Sequence, residues 1–173
     1  MIDSSAIDRN RSVCFTGHRG VAKNDMSHVM SMLYSRVSSL VNKGFDTFIT
    51  GGAVGFDTMA AECVAQLKER FGGITHILAL PCRDQTAKWK SLDDLSRYKR
   101  LLGGADAVEY ISDFYTPTCM HERNRWMVDN SSYCIAYMTG IRGGTAYTCR
   151  YAESLGITVE NLAPDAQLSM FLI

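Results

Sequence analysis

The sequence has no excess of charge of either sign: 18 Lys and Arg balance 18 Asp and Glu, for a formal net charge of 0. A protein that coats phosphate backbones ordinarily shows a basic surplus, so nucleic acid is not an expected partner. No apolar run approaches the roughly 18 residues needed to span a bilayer, and no membrane association is expected. The N-terminal MIDSSAIDRNR is polar, unlike a secretory leader. Six cysteines (Cys14, Cys63, Cys82, Cys119, Cys134, Cys149) are scattered with no CxxC pair. A disulfide framework is not expected, because several fall in stretches that read as buried strand or helix, where cysteine behaves as a small hydrophobe. A reduced, cytoplasmic protein follows as the expectation. Repeats, linkers and low-complexity segments are missing. So are a P-loop and a GxGxxG fingerprint, which argues against a kinase, an ATPase or a conventional dehydrogenase.

What the sequence does contain is alternation. Hydrophobic residues make up 46% of 173 residues, enough for one domain built around a sheet. Short apolar runs read as strands at Ser12–Thr16, Asp46–Thr50, Ile74–Leu80, Ala107–Ile111, Tyr133–Met138 and over ITVENL. Between them, Val29, Leu33, Val37, Leu40 and Val41 recur at helical spacing and Gly44 closes that helix. A second helix starts at Asp57 with Ala60, Cys63, Val64 and Leu67 on one face. A third is expected on Trp89, Leu92, Leu95 and Leu102, a fourth from about Met120 to Asn130, and a fifth ends near Leu155. Strands separated by helices of this length imply parallel pairing and right-handed crossovers. The expected fold class is α/β, a Rossmann-like three-layer sandwich with a mostly parallel central sheet. Residues 1–173 read as one domain with 1–11 as a polar tail. Strand order cannot be read, and the terminal LSMFLI suits either the core or a subunit contact.

Three loops at expected strand ends open on Thr-Gly: TGHRG, TGGAVGFD and TGIRGGT. In a parallel sheet, ligands bind beyond the carboxyl ends of the strands. Glycine there permits positive φ and close backbone approach, while the following helix offers unpaired N–H groups to an anion. One such loop is an ordinary tight connection. Three together point to a shared site for a nucleotide or another anionic metabolite.

The ordered set CFTGHR, TGGAVGFDTMAAE, LPCRDQTAKW, RNRWMVDNS and GGTAYTCRYA resembles the SLOG superfamily, which includes proteins of the DprA type and the LOG phosphoribohydrolases. The likeness is to its YpsA-like branch and runs from about Val13 to Gly156. It implies a Rossmann-like domain that binds a nucleotide or nucleotide-derived ligand, often as a homo-oligomer. LOG enzymes place a glutamate three residues after the threonine of their PGGxGTxxE motif. Here Thr148 stands at that position, and the proline is absent.

The expected ligand-binding residues are Gly17, His18, Arg19, Gly51, Gly52, Ala53, Gly55, Asp57, Gln85, Asn124, Gly143, Gly144 and Thr145. Arg19 suits bidentate pairing with a phosphate or carboxylate, or else a bond to a neighbouring loop. Asp57 is placed to begin a helix, to grip ribose hydroxyls, or both. Its charge repels a phosphate, which assigns the phosphate to Gly143, Gly144 and Thr145 and the sugar or base to Asp57. Arg142 either adds charge there or points to solvent. On the fourth helix Asn124 is favoured toward the site over Arg123, with Asp129 open between site and structural pairing. Asp57 and Glu62 are the weak candidates for an acid or base. Trp89 and Trp126 read as core or interface aromatics, and His28 and His76 as structural. Cys119 and His121 form a CxH step with no second cluster, so neither a metal nor a cofactor is expected. The leading functional expectation is a sensor or ligand-binding protein. The alternatives are an N-glycosidic hydrolase and, third, a single-stranded nucleic-acid binder.

Overall fold

The computed structural model describes residues 7–164. Six strands, β1 (Ser12–Gly17), β2 (Thr47–Thr50), β3 (Thr75–Cys82), β4 (Ala107–Ser112), β5 (Tyr133–Tyr137) and β6 (Thr158–Asn161), form one sheet in the order β4-β3-β2-β1-β5-β6. Every pairing is parallel. The connecting helices are α1 (Met26–Asn42), α2 (Phe56–Phe71), α3 (Leu92–Gly104), α4 (Cys119–Asp129) and α5 (Gly144–Ser154). This is the expected three-layer Rossmann-like sandwich.

The strand order explains where a cleft must open. From β1 the chain steps outward to β2, β3 and β4, then returns across the sheet to β5 and β6 on the other side of β1. Right-handed crossovers that travel in opposite directions must lie on opposite faces. Alternating side chains of the strands serve the two faces separately. Val13, Phe15, Phe48 and Ile135 pack with Val29, Leu33 and Val37 of α1 and Val64 and Leu67 of α2. Cys14, Ile49, Ile77 and Cys134 face Met127 and Val128 of α4 and Ala152 of α5. The helices diverge beyond β1 and β5, whose ends meet at the Gly17–Tyr137 pair. That divergence is the topological switch point of the sheet.

Three details depart from the sequence reading. Strand β3 runs through Pro81 to Cys82 instead of stopping at Leu80. β2 has already ended opposite Leu78, and the β4 register pairs Leu80 and Cys82 on either side of Pro81, so the missing N–H costs no ladder bond. Helix α3 buries Tyr98 and Leu101, whereas Leu92 is 83% exposed. Trp89 lies before the helix, whose N-cap Ser91 accepts from the Asp94 amide at 3.2 Å. Trp89 and Leu102 pack with Tyr98 and Leu101 as expected, and Leu92 is the residue of the expected stripe that faces solvent instead. Finally, the segment read as a polar tail is docked from Ile7 onward: Ile7 packs on the α4–α5 core and Arg9 Nε donates to the Ser131 carbonyl at 2.9 Å. The LSMFLI segment lies outside the described residues.

All six cysteines are free and buried. Among the described residues, no helix is long and apolar enough to cross a membrane.

Candidate ligand site

A cleft of about 330 Å³ opens at the switch point. The end of β1 contributes Thr16, Gly17, His18 and Arg19; the β2–α2 turn contributes Ala53 and Asp57; α4 contributes Met120, His121, Arg123 and Asn124; and α5 contributes Gly144 and Thr145. All three Thr-Gly loops thus converge, and they do so through bonds among themselves. His18 donates its amide to the Tyr137 carbonyl (3.3 Å), and its own carbonyl accepts from the Phe56 amide (3.2 Å). Its Nε2 accepts from the Thr139 amide at 3.0 Å. His18 is therefore the clasp that ties the loops together.

The glycines divide into two kinds. A Cβ on Gly17 would collide with the Phe56 ring, one on Gly51 with the Arg123 guanidinium and the Asp57 carboxylate, and one on Gly55 with the backbone of Arg19 and His18. At these positions the bare backbone accommodates the protein's own groups. Gly52 belongs with them, because it has φ 65° and a Cβ there would lie 2.7 Å from the Leu80 side chain; its carbonyl accepts from Gln85 Nε2 at 2.8 Å. At Gly143 and Gly144 a Cβ would meet nothing within 4 Å. Gly143 has φ 95°, a value that favours glycine, and it places Gly144 at the first position of α5. The first-turn amides of α5 have no acceptor within the helix and carry its positive end. Thr145, buried among them, lines the cleft beside Gly144.

Facing this helix end is a buried ion pair that also lines the cleft. Asp57 and Arg123 are 5% and 4% exposed. Arg123 Nη1 lies 3.4 Å from Asp57 Oδ2 and 3.4 Å from the Ala79 carbonyl, and it also donates to the Gly51 carbonyl. Asp57 Oδ2 accepts from the Ala53 amide at 3.4 Å. Burial pushes the Asp57 carboxyl above its usual range, opposed by the Arg123 charge, the Ala53 amide and the Arg19 charge. The polar chain continues from Arg123. Its Nε donates to Asn124 Oδ1 (2.8 Å), Asn124 Nδ2 donates to Thr148 Oγ1 (2.9 Å), and Thr148 donates to the Gly144 carbonyl (2.9 Å). One continuous run of hydrogen bonds thus links the buried carboxylate to the start of α5.

Of the expected site residues, Gly17, His18, Arg19, Ala53, Asp57, Asn124, Gly144 and Thr145 line this cleft. Gly51, Gly52 and Gly55 shape the turn behind it, and Gly143 caps α5. Gln85 lies in a neighbouring cavity. Glu62 is not brought in: it holds Arg97 through two bonds of 2.7 Å. Asp129 accepts from the Tyr151 hydroxyl at 2.7 Å, a structural pairing between α4 and α5. Arg142 is exposed and outside the cleft lining. Sequence reasoning set Arg123 behind Asn124, yet it is the buried partner of Asp57. An arginine in the polar motif RNRWMVDNS gives no sign of burial, because its partner lies 66 residues away. Met120 and His121 were not identified either.

Comparison with known proteins agrees with this architecture. The chain is 34% identical over 132 residues to the SPbeta prophage-derived protein YoqJ of Bacillus subtilis (strain 168), covering 68% of this chain and 77% of that protein. It is 23% identical over 152 residues to a UPF0398 protein of Bacillus pumilus, covering 82% of this chain and 81% of the relative. Among solved structures it resembles DNA processing protein A from Streptococcus pneumoniae, with a TM-score of 0.61 at 18% identity. It also resembles DNA processing protein A from Helicobacter pylori, with a TM-score of 0.59 at 18% identity. Each match covers 86% of this chain, which spans 48% of the first protein and 63% of the second. The model of the YspA SLOG family matches residues 14–156, and the chain belongs to that family.

Proposed function

We propose that the switch-point cleft binds a phosphorylated, nucleotide-type metabolite and that the protein acts as a ligand-binding or sensing module. The observation that carries this reading is the pairing of an open helix start, Gly143 to Thr145, with the buried Asp57 carboxylate in one cleft. A phosphate is favoured on the α5 amides and repelled from Asp57, whose carboxylate suits sugar hydroxyls. Arg19 is exposed at the mouth and makes no ion pair within 4 Å among the described residues, leaving its guanidinium available to an anion. Six buried free thiols support work in a reducing, cytoplasmic compartment.

Turnover is disfavoured by the state of the carboxylates. Asp57 is engaged by Arg123 and Ala53, Glu62 is paired outside the cleft, and Thr148 replaces the LOG glutamate with a hydroxyl committed to Gly144 and Asn124. Titration calorimetry with nucleoside monophosphates on the wild type and Gly144→Asp tests the reading. Binding should be lost in the variant, and no free base or ribose phosphate should accumulate in the wild type. Unchanged affinity in Gly144→Asp overturns the phosphate seat; release of base supports a hydrolase.

A second reading is favoured by two observations. The H. pylori relative in fold is described by its single-stranded DNA binding mode, and near this cleft Lys88 lies 5.9 Å from the centroid of the exposed Tyr115 ring. Oligonucleotide affinity that falls steeply with salt supports that reading, whereas mononucleotide affinity with little salt dependence supports the first.

A further inference from the structure

A second cavity of about 550 Å³ adjoins the cleft, and the two share Arg19, Ala53 and Met120 as common wall. We infer that the second cavity receives the planar ring of the ligand, so that one nucleotide lies across both: phosphate on α5, sugar over Ala53 and Asp57, and ring between Trp89 and Tyr115. This rests on the phosphate and sugar reading above and extends it.

Size comes first. Small-molecule sites run from about 300 to 1,000 Å³, so the 330 Å³ cleft alone is at the lower limit for a whole nucleotide. Across the shared wall the second cavity lengthens the site. The two compartments also differ in chemistry. Among the described residues no Trp, Tyr or Phe lines the cleft, whereas the second cavity adds Trp89, Tyr115 and Pro81 beside the polar Asp84, Gln85 and Lys88. Trp89 is held edge-on by Tyr98, with ring centroids 5.3 Å apart, so its orientation is set before any ligand arrives. Tyr115 is 63% exposed on the β4–α4 loop, an aromatic at the rim that the core does not require.

Gln85 adds a polar group of fixed direction. Its Nε2 faces the Gly52 carbonyl at 2.8 Å, and a carbonyl can only accept, so the amide orientation is unambiguous. The remaining atom, Oε1, is buried without a hydrogen-bond partner. A heterocycle carrying an N–H or amine would supply the missing donor once the side chain yields to it, which favours a nitrogen ring over a hydrocarbon one.

The test compares ligands with and without the ring. Affinities of ribose 5-phosphate and of AMP, GMP, CMP and UMP are measured by calorimetry on the wild type and on Tyr115→Ala, an exposed change that spares the core. Emission of Trp89 is followed in Trp126→Phe, where it is the sole tryptophan. The expected result is at least one nucleotide binding about 5- to 150-fold more tightly than ribose 5-phosphate, the range for one stacked base. Tyr115→Ala should shrink that preference with ribose 5-phosphate affinity unchanged, and nucleotide alone should quench Trp89. Ribose 5-phosphate binding as tightly as all four nucleotides overturns the ring site and leaves the phosphate reading standing. A preference that survives Tyr115→Ala with Trp89 emission unmoved also overturns it. Failure of all five probes to bind overturns both.

Discussion

Arg123 reaches from α4 to within 3.4 Å of the α2 carboxylate of Asp57, and neither side chain is more than 6% exposed. The arginine also serves the carbonyls of Gly51 and Ala79. The two partners are therefore unequal. Removing the carboxylate leaves a guanidinium with two carbonyl acceptors, whereas removing the guanidinium strands two carbonyls and a buried charge. Arg123→Met should cost about 3–5 kcal/mol, the range for breaking a buried pair, and Asp57→Asn less. Urea unfolding of both variants and the double variant gives the coupling. In Arg123→Met the Asp57 carboxyl rises further above its unfolded value, so the folded state binds more protons than the unfolded one. The destabilisation should then shrink as pH falls toward the ordinary carboxylate range.

The two kinds of glycine give a paired prediction. Gly51→Ala directs a methyl into Arg123 and Asp57 and should unseat the ion pair, with a loss comparable to Arg123→Met. Gly144→Ala directs one into open space at the start of α5 and should be neutral or stabilising by up to about 1 kcal/mol. Thermal unfolding of the two variants separates a glycine that makes room for the protein from one that leaves room for something else.

This contrast also marks how far the sequence could be read. The alternation of apolar strands and helices fixes layers and parallel pairing because period and spacing are local properties. The three Thr-Gly loops announced one cleft, and they do form it. The sequence could not say what each bare backbone faces, since Gly17, Gly51 and Gly55 answer to Phe56, Arg123 and Arg19, contacts set by tertiary placement. Strand order was illegible for the same reason: nothing local distinguishes β1 next to β5 from β1 next to β4. Trp89 shows an intermediate case. It packs against the α3 cluster as its hydrophobicity suggests, yet one side lines the second cavity.

Thr148 is 1% exposed and bonded at both ends of its hydroxyl, accepting from Asn124 and donating to Gly144. Thr148→Val keeps the shape and removes both bonds, so it should cost about 1–3 kcal/mol through the unpaired Asn124 amide. Thr148→Glu should be worse, because a longer charged group must enter the same space, and it should not produce glycosidic cleavage. Unfolding midpoints and a free-base assay check the two claims. Cleavage by Thr148→Glu would show that the missing carboxylate alone separates this chain from hydrolases of the LOG type.

His76 offers a pH test away from the cleft. Its side chain is buried in β3, with Nε2 2.8 Å from Thr50 Oγ1, while the Asp106 carboxylate accepts from its amide at 2.8 Å. Burial lowers its pKa from 6.5 to about 4, with the Asp106 charge opposing and the Lys68 charge assisting. The folded state therefore accepts only the neutral ring down to that pH, whereas the unfolded chain takes up a proton near 6.5. Stability from this residue is complete above 6.5 and drains away as pH falls toward 4, by about 3 kcal/mol at 1.36 kcal/mol per pH unit. Asp106, held below its usual value despite burial by the His76 amide and by Lys68, begins to lose its contribution only at lower pH. Urea midpoints between pH 7 and pH 4 should fall in the wild type and fall less in His76→Gln, which keeps a polar side chain near Thr50 without a titrating ring. Equal slopes in the two proteins would mean that His76 is protonated in the fold and that the Thr50 bond holds a charged imidazole.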